Sequence, residues 1–241
     1  MIKEFNNESQ AKATADSLGL IMTKYKGVYI VSNNKEEILA NYGLGYNSGE
    51  NVFYDKEIFG EDEEGYIIIR DKDIIDASSV ELPYNIRDCS YMFWLCASLE
   101  TPPKIPKGVG VCNSMFYGCT SLKKAPIIPE GVQNCYSMFE SCTSLVTPPL
   151  LPEGIHYCSY MFSKCTSLKE APIIPEGVED CTYMFHCCTS LKTPPIIPES
   201  VGDCRGMFKD CTSLKETPRF PVNSNTEGAL ENTPFKEMRR N

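Results

Sequence analysis

The chain repeats itself every 23 residues from its first third almost to its end. Two columns of cysteines mark the period and account for twelve of the thirteen cysteines. The first column is Cys89, Cys112, Cys135, Cys158, Cys181 and Cys204, and the second is Cys96, Cys119, Cys142, Cys165, Cys188 and Cys211. Six gapless copies of C-x-x-M-F-x-x-C-x-S-L-x-x-x-P-x-x-P follow one another. A fixed period of this length is typical of a solenoid, in which each unit packs on its neighbours.

One copy has three parts. Cys158, Met161, Phe162, Cys165 and Leu168 lie at i, i+3, i+4, i+7 and i+10, which predicts a short helix with one apolar face. The prolines of the following "KEAPIIP" forbid a continuing helix and favour extended backbone, and "PEGV" is a turn signal. Each copy is therefore predicted to be a short helix, a short strand and a turn.

The repeats divide the chain into two predicted domains. The first strand of the repeat region begins near Ala77, so residues 76–241 form the solenoid domain. If one residue is dropped from the period, Thr226 and Thr233 take the two cysteine positions, which predicts a degenerate helix as a C-terminal cap near 222–235. Residues 1–75 contain no repeat, and their helix and strand patterns predict a small α+β domain. Residues 1–88, which include this domain, carry most of the net charge of −9, because they hold nine Lys and Arg against seventeen Asp and Glu.

The motif "MFxxCTSLxxxPxxP" resembles the leucine-rich repeats of the bacterial surface proteins called BspA-like, of the Treponema pallidum repeat class. The resemblance covers residues 77–235 or so. It implies an α/β fold, a curved leucine-rich-repeat solenoid with a parallel sheet on its concave side, and a role in binding other proteins. Members of the family are often secreted or anchored at the surface.

The cysteines allow four interpretations: metal ligands, disulfides, catalytic thiols or packing. A spacing of seven with only two histidines is unlike a structural zinc site, and a residue repeated twelve times is not a unique nucleophile. Disulfides between neighbouring copies are sterically feasible, but a reducing compartment and the odd number of cysteines disfavour them. We therefore predict buried thiols that act as small apolar side chains, with no metal, cofactor or catalytic residue. Cys187 stands outside the columns, beside His186, in a slot expected to be exposed and reactive.

A second set of columns predicts a binding surface. The apolar column Ile105, Ile128, Leu151, Ile174, Ile197 and Phe220 is expected to point inward. Strand alternation then turns the preceding residues outward, which would form an exposed aliphatic row with a charged residue at each end. These candidate partner-binding residues are Lys104, Ile127, Leu150, Ile173, Ile196 and Arg219. The alternative is that the strands twist and bury both columns.

Aromatic residues form another candidate surface. Tyr91, Tyr160 and Tyr183 share one slot of the repeat, and Trp94 is the only tryptophan. Tyrosine and tryptophan are enriched at interface hot spots, so these residues are candidates for partner binding. Trp94 could instead pack against the N-terminal domain.

Three functions remain open from the sequence. The first is a non-enzymatic protein that binds a protein partner through the repeat surface. The second is an inhibitor from a phage or mobile element, anti-CRISPR-like, that blocks a host nucleic-acid-handling defence enzyme. In that hypothesis the acidic N-terminal domain, including Glu61, Asp62, Glu63 and Glu64, mimics a nucleic acid. The third is an enzymatic N-terminal domain targeted by the solenoid, although no catalytic constellation is recognised.

Charge and hydropathy narrow the location and the partners. A basic stripe is missing, which argues against direct nucleic-acid binding, and no apolar run is long enough to span a membrane. The N-terminus has no secretory pattern, which favours the cytoplasm. The expected partner is therefore another protein.

Overall fold

A computed structural model describes residues 2–50 and 52–235 of the chain. Within these residues the helices and strands all lie in the N-terminal part. They are β1 (Ile2–Phe5), α1 (Glu8–Leu18), β2 (Ile21–Tyr25), β3 (Val28–Ser32), α2 (Lys35–Tyr42), β4 (Leu44–Asn47), β5 (Val52–Asp55), β6 (Phe59–Glu61) and β7 (Ile67–Ile69). None of the helices in the described part of the chain is long and apolar enough to cross a membrane.

The N-terminal elements form three small antiparallel sheets. β3 lies between β1 and β2, β4 pairs with β5, and β6 pairs with β7. Because side chains alternate along a strand, Ile30 and Val31 of β3 enter two different cores. Val31 packs with Ala11 and Ala15 of α1, whereas Ile30 packs with residues that include Ile38 of α2.

The β6–β7 hairpin joins this part of the chain to the repeats. Phe59, Ile67 and Ile69 belong to the same buried cluster as the repeat core. The backbone N–H of Ile69 also donates to the carbonyl of Met92 in the first repeat, at 2.8 Å. The hairpin therefore covers the first end of the stack of repeats, while the boundary between residues 75 and 76 stays a prediction.

The segment between the two cysteines of each repeat is a run of tight turns. The predicted short helices are therefore wrong: within the described residues, the repeats contain no α-helix. In the fourth copy, the N–H groups of Met161, Ser163 and Cys165 donate three residues back. Those of Tyr160 and Phe162 donate instead to carbonyls of the next copy, at 2.8 and 3.0 Å. We call this segment the turn ribbon and each 23-residue copy a coil.

The turn ribbon needs backbone conformations that a helix lacks. Counted from the first cysteine, the third and seventh residues of each ribbon have positive φ, for example 58° at Tyr160 and 61° at Lys164. Such left-handed residues redirect alternate N–H groups away from their own coil. This conformation is energetically unfavourable for residues other than glycine. The apolar spacing i, i+3, i+4, i+7 suits both arrangements, so it could not distinguish them.

The predicted parallel strands are also absent as continuous elements. Neighbouring coils are joined by isolated parallel bridges, most of them at the residue just before the first cysteine, such as Asp88 to Val111 and Val111 to Asn134. In the "APIIP" segments, prolines stand on both sides of the two apolar residues and offer no N–H. A regular sheet ladder therefore does not form there, which corrects the parallel sheet implied by the resemblance.

The core of the stack is a set of identical columns. The Met, Phe, Leu and two Cys columns of all six copies are buried. The phenylalanine rings from Phe93 to Phe208 stack with centroids 5.6–5.8 Å apart. The inward position of these columns, predicted from the periodicity, is correct although the helix was not.

The second cysteine column adds hydrogen bonds between coils. The Sγ of Cys142 donates to the carbonyl of Phe116 in the preceding coil at 3.1 Å. Cys119, Cys165, Cys188 and Cys211 make the equivalent contact at 2.9–3.2 Å. The thiol is a small donor in an apolar core, a property that alanine or valine would not supply.

The stack continues beyond the sixth copy. Cys204, Gly206, Phe208 and Asp210 donate to the carbonyls of residues 225, 227, 229 and 231. The offset is 21 residues, where the earlier coils use 22, so this last coil is one residue shorter. Ala229 is buried in place of a methionine.

We expect thiol reactivity to separate Cys187 from the other cysteines. Twelve thiols are buried, and burial raises the pKa of Cys96 to about 11 and that of Cys112 to about 12, so thiolate is scarce. Cys187 is only half-buried. In reduced, chelator-treated protein, iodoacetamide should modify Cys187 first, and the other twelve only after denaturation, as measured by peptide mass spectrometry. Rapid native labelling of the buried columns would contradict this packing.

We also expect the fold to fail at alkaline pH. Burial raises the pKa of all twelve buried thiols above their ordinary value of 9.0, so the folded protein keeps protons that the unfolded chain releases. The free energy of unfolding should fall as pH rises above 9, by about 1.4 kcal/mol per pH unit per thiol. Twelve thiols would offset a typical stability of about 5–15 kcal/mol within roughly one pH unit.

Urea unfolding with reductant at pH 7 to 10 measures this dependence. Cys142→Ala is the matched control, because it should reduce the steepness by one thiol whatever it does to stability at pH 7. A stability that is equal at pH 7 and pH 10 would be incompatible with protonated buried thiols.

Candidate functional site

Four aliphatic side chains at one repeated position form an exposed row on the repeats. Ile127, Leu150, Ile173 and Ile196 are 81–91% exposed. Ile128, Ile174 and Ile197, each one residue later, are buried. The alternative in which both columns are buried is therefore wrong. We call the four exposed residues the aliphatic strip; they occupy the same position in four successive coils.

Charged residues precede and follow the strip residues in the repeat. Lys104 and Arg219 occupy the equivalent positions of the first and sixth coils and are exposed. Three residues after each strip residue stands an exposed glutamate, and four residues before stands, in most coils, an exposed lysine. The glutamates are Glu130, Glu153, Glu176 and Glu199, and the lysines are Lys123, Lys169 and Lys192, with Val146 in the second position. Along each coil the strip residue therefore stands between these two positions, and we call the column of glutamates the acidic rim and the column of lysines the basic rim.

The predicted aromatic surface is divided into two parts, both on the turn ribbons. The Tyr160 and Tyr183 rings stack with centroids 5.1 Å apart, and Tyr136 lies against Tyr160 at 5.7 Å. Tyr91 packs against Tyr66 of the N-terminal part at 5.0 Å. These residues are half-buried or exposed.

Trp94 has both an exposed ring and a link to the N-terminal part. Its side chain is substantially exposed and tilts against Tyr117, with ring centroids 6.4 Å apart. Its backbone carbonyl accepts a hydrogen bond from Lys72 Nζ at 3.0 Å. The link to the N-terminal part is thus made by the backbone of Trp94, whereas its ring lies against Tyr117 of the second coil, so its role in partner binding stays a prediction.

The acidic run 61–64 consists of Glu61, the last residue of β6, and the first three residues of the turn that leads to β7. Asp62 Oδ1 accepts hydrogen bonds from the N–H groups of Glu64 and Tyr66, at 3.1 and 2.8 Å. Glu61, Glu63 and Glu64 are exposed. Asp62 shapes the turn, so a charge reversal there would alter the backbone as well as the charge.

A second candidate site lies where the fifth and sixth coils meet. Donor atoms of His186, Cys187 and Asp210 lie within 4.8 Å of one another. Burial lowers the pKa of His186 and raises that of Cys187. The sequence pattern pointed to Cys187 and His186 but not to Asp210. Asp210 follows Cys187 by one 23-residue period and so occupies the same position of the next coil, which could have indicated that the two side chains are close.

Similar proteins point to one family. The BspA type leucine-rich repeat region matches residues 85–215 and 151–238, in six copies. No curated protein matches the chain. Nothing in the described residues or in these similarities supports the inhibitor hypothesis.

Three solved structures share the fold. The T. pallidum leucine-rich repeat protein TpLRR is 24% identical with a TM-score of 0.53, over 70% of this chain and 82% of that one. A leucine-rich repeat protein from Bacteroides ovatus is 22% identical with a TM-score of 0.54, over 73% and 55%. One from Eubacterium ventriosum is 19% identical with a TM-score of 0.51, over 73% and 50%. This chain therefore spans about half the length of the latter two. Because the family model covers more than half of its residues, the chain belongs to the BspA-type leucine-rich repeat family.

Proposed function

We propose that this chain is a non-catalytic binding protein whose aliphatic strip contacts a protein partner. The observation that carries the proposal is the near-complete exposure of four large aliphatic side chains at one repeated position. Isolated apolar residues are common on protein surfaces, whereas an ordered apolar row with polar rims is typical of an interface. The family, whose leucine-rich repeats generally mediate protein–protein interaction, supports the same function.

The spacing of the strip favours a helical partner segment. Equivalent phenylalanine rings of adjacent coils lie 5.6–5.8 Å apart, and three such intervals give the four side chains a span of about 17 Å along the stack. A helix with apolar residues at i, i+4, i+7 and i+11 spans about 16.5 Å along one face. Four alternate side chains of an extended strand span about 20 Å, which is roughly 3 Å too long. A helix of about three turns matches all four strip residues.

The rims predict the charges of that helix. The edge facing Glu130, Glu153, Glu176 and Glu199 would carry Lys or Arg, and the edge facing the lysines would carry Asp or Glu. Exposed ion pairs contribute about 0–1 kcal/mol each, so they orient the helix more than they hold it. Lys104 and Arg219 bound the strip at its two ends, and the aromatic residues and the 61–64 turn stay secondary candidates for contact.

Substitution of the strip should separate binding from stability. The double variant Leu150→Ser, Ile173→Ser removes only exposed apolar area, so the free energy of unfolding should change by about 0.5 kcal/mol or less per site. The same double variant should weaken binding at least tenfold. Chemical denaturation measures the first effect, and quantitative affinity capture from cells of the source organism measures the second.

Leu18→Ser provides the control, because Leu18 in α1 is an exposed aliphatic residue that lies outside the strip and outside the aromatic surface. A photo-crosslinker at position 173 should then attach to a helical segment in a protein that the double variant fails to retain. Global unfolding of the double variant would show that the strip is structural. Equal capture by all three proteins would show that the partner, if any, binds elsewhere.

A further inference from the structure

The His186, Cys187 and Asp210 cluster brings three different metal-binding groups to one point. Cys187 Sγ lies 3.3 Å from His186 Nε2, and Asp210 Oδ2 lies 3.4 Å from the same nitrogen. Sγ and Oδ2 are 3.9 Å apart. The three atoms therefore form a nearly regular triangle.

The size of this triangle fits a tetrahedral zinc ion. With Zn–S of about 2.3 Å, Zn–N of about 2.0–2.1 Å and Zn–O of about 2.0–2.2 Å, tetrahedral angles place sulfur about 3.6 Å from the nitrogen and oxygen ligands, and those two about 3.4 Å from each other. The nitrogen–oxygen distance agrees, the sulfur–nitrogen distance is about 0.3 Å shorter and the sulfur–oxygen distance about 0.3 Å longer. A small rotation of the Cys187 side chain away from His186 and towards Asp210 would reduce both differences.

The same geometry argues against a cysteine-based catalytic triad. In a triad, the nucleophile and the carboxylate contact different nitrogens of the imidazole, so that the ring relays a proton between them. Here Nε2 faces both the thiol and the carboxylate. Convergence on one nitrogen suits a shared cation.

Neighbouring side chains hold the ligands in suitable states. Ser163 Oγ is buried and lies 3.4 Å from His186 Nδ1, where it can accept a hydrogen bond from a protonated Nδ1. In that tautomer the lone pair of Nε2 is free to bind a cation. Asn232 Nδ2 donates to Asp210 Oδ1 at 2.8 Å and leaves Oδ2 for the cluster. Such contacts behind the ligands are a regular feature of metal sites.

The nearby cations are already paired. Lys164 and Lys209 flank the cluster, but Lys164 Nζ lies 3.1 Å from Glu140 Oε1, and Lys209 Nζ lies 2.9 Å from Glu231 Oε2. A thiolate and a carboxylate would supply two negative charges to a divalent cation. The side chains of His186 and Asp210 remain 21% and 31% exposed, so a fourth position faces solvent.

We propose that His186, Cys187 and Asp210 form a zinc site with three protein ligands and a fourth position open to water or to a side chain of a partner. None of the three residues follows the repeat consensus, so the scaffold does not require them. The mixed sulfur, nitrogen and oxygen set is of the kind that zinc accepts, whereas magnesium and calcium prefer oxygen alone. The site is independent of the aliphatic strip.

Cobalt titration of the full-length, chelator-stripped protein tests the proposal directly. Co²⁺ should bind with a stoichiometry of one, give a thiolate charge-transfer band and tetrahedral d–d bands, and be displaced by Zn²⁺. Cys187→Ser should abolish the charge-transfer band. Asp210→Asn should weaken binding at least tenfold, and Asn232→Ala by roughly 10–100-fold. The matched control is His156→Gln, because His156 also lies near a carboxylate, Glu179, at 3.7 Å and should leave binding unchanged.

A labelling experiment on the unaltered protein guards against misfolded variants. Zinc should protect Cys187 from iodoacetamide and leave the labelling of the buried thiols unaffected. Absence of both stoichiometric cobalt binding and zinc protection would overturn the proposal. Spectra that persist in Cys187→Ser, or that disappear equally in His156→Gln, would overturn it as well.

Discussion

Every coil of this protein depends on hydrogen bonds that its own residues cannot complete. Alternate N–H groups of each turn ribbon donate to the next coil, and the left-handed residues that aim them there are unfavourable in isolation. The cysteine thiols add further bonds to the preceding coil. A single coil therefore cannot be stable, and cooperativity between neighbours is built into the backbone as well as into the apolar core.

The periodicity was sufficient to identify the family, the buried columns and the direction in which Ile127 and Ile128 point. It could not identify the turn ribbon, because Met161 and Phe162 lie inward in a helix and in the ribbon alike. The ribbon differs from a helix in having positive φ at positions such as Tyr160 and Lys164. Because these residues are not glycine, the sequence does not indicate a left-handed backbone there. The strand prediction failed because flanking prolines favour extended backbone but remove the donors of a ladder.

The positions of the repeat that serve packing differ from those that form the candidate sites. Columns that repeat without variation serve packing, as the twelve buried cysteines do. The aliphatic strip and the His–Cys–Asp cluster occupy positions that packing leaves free. Asp210 was missed because its link to Cys187 spans one full coil, a separation that short-motif rules do not cover. Comparing unusual residues one period apart would have revealed it.

The two ends of the stack differ from its middle in a way that limits assembly. At one end the β6–β7 hairpin lies where a preceding coil would lie, and the N–H of Ile69 donates to the carbonyl of Met92 as a residue of such a coil would. At the other, Phe220 meets Phe208 edge to face at 6.1 Å, which ends the parallel ring stack. An uncovered coil would offer unpaired backbone groups and a flat aromatic face to another copy of the chain. Within the described residues, the hairpin and Phe220 therefore give the two ends of the stack surfaces unlike those between coils, which disfavours head-to-tail stacking of one molecule on another.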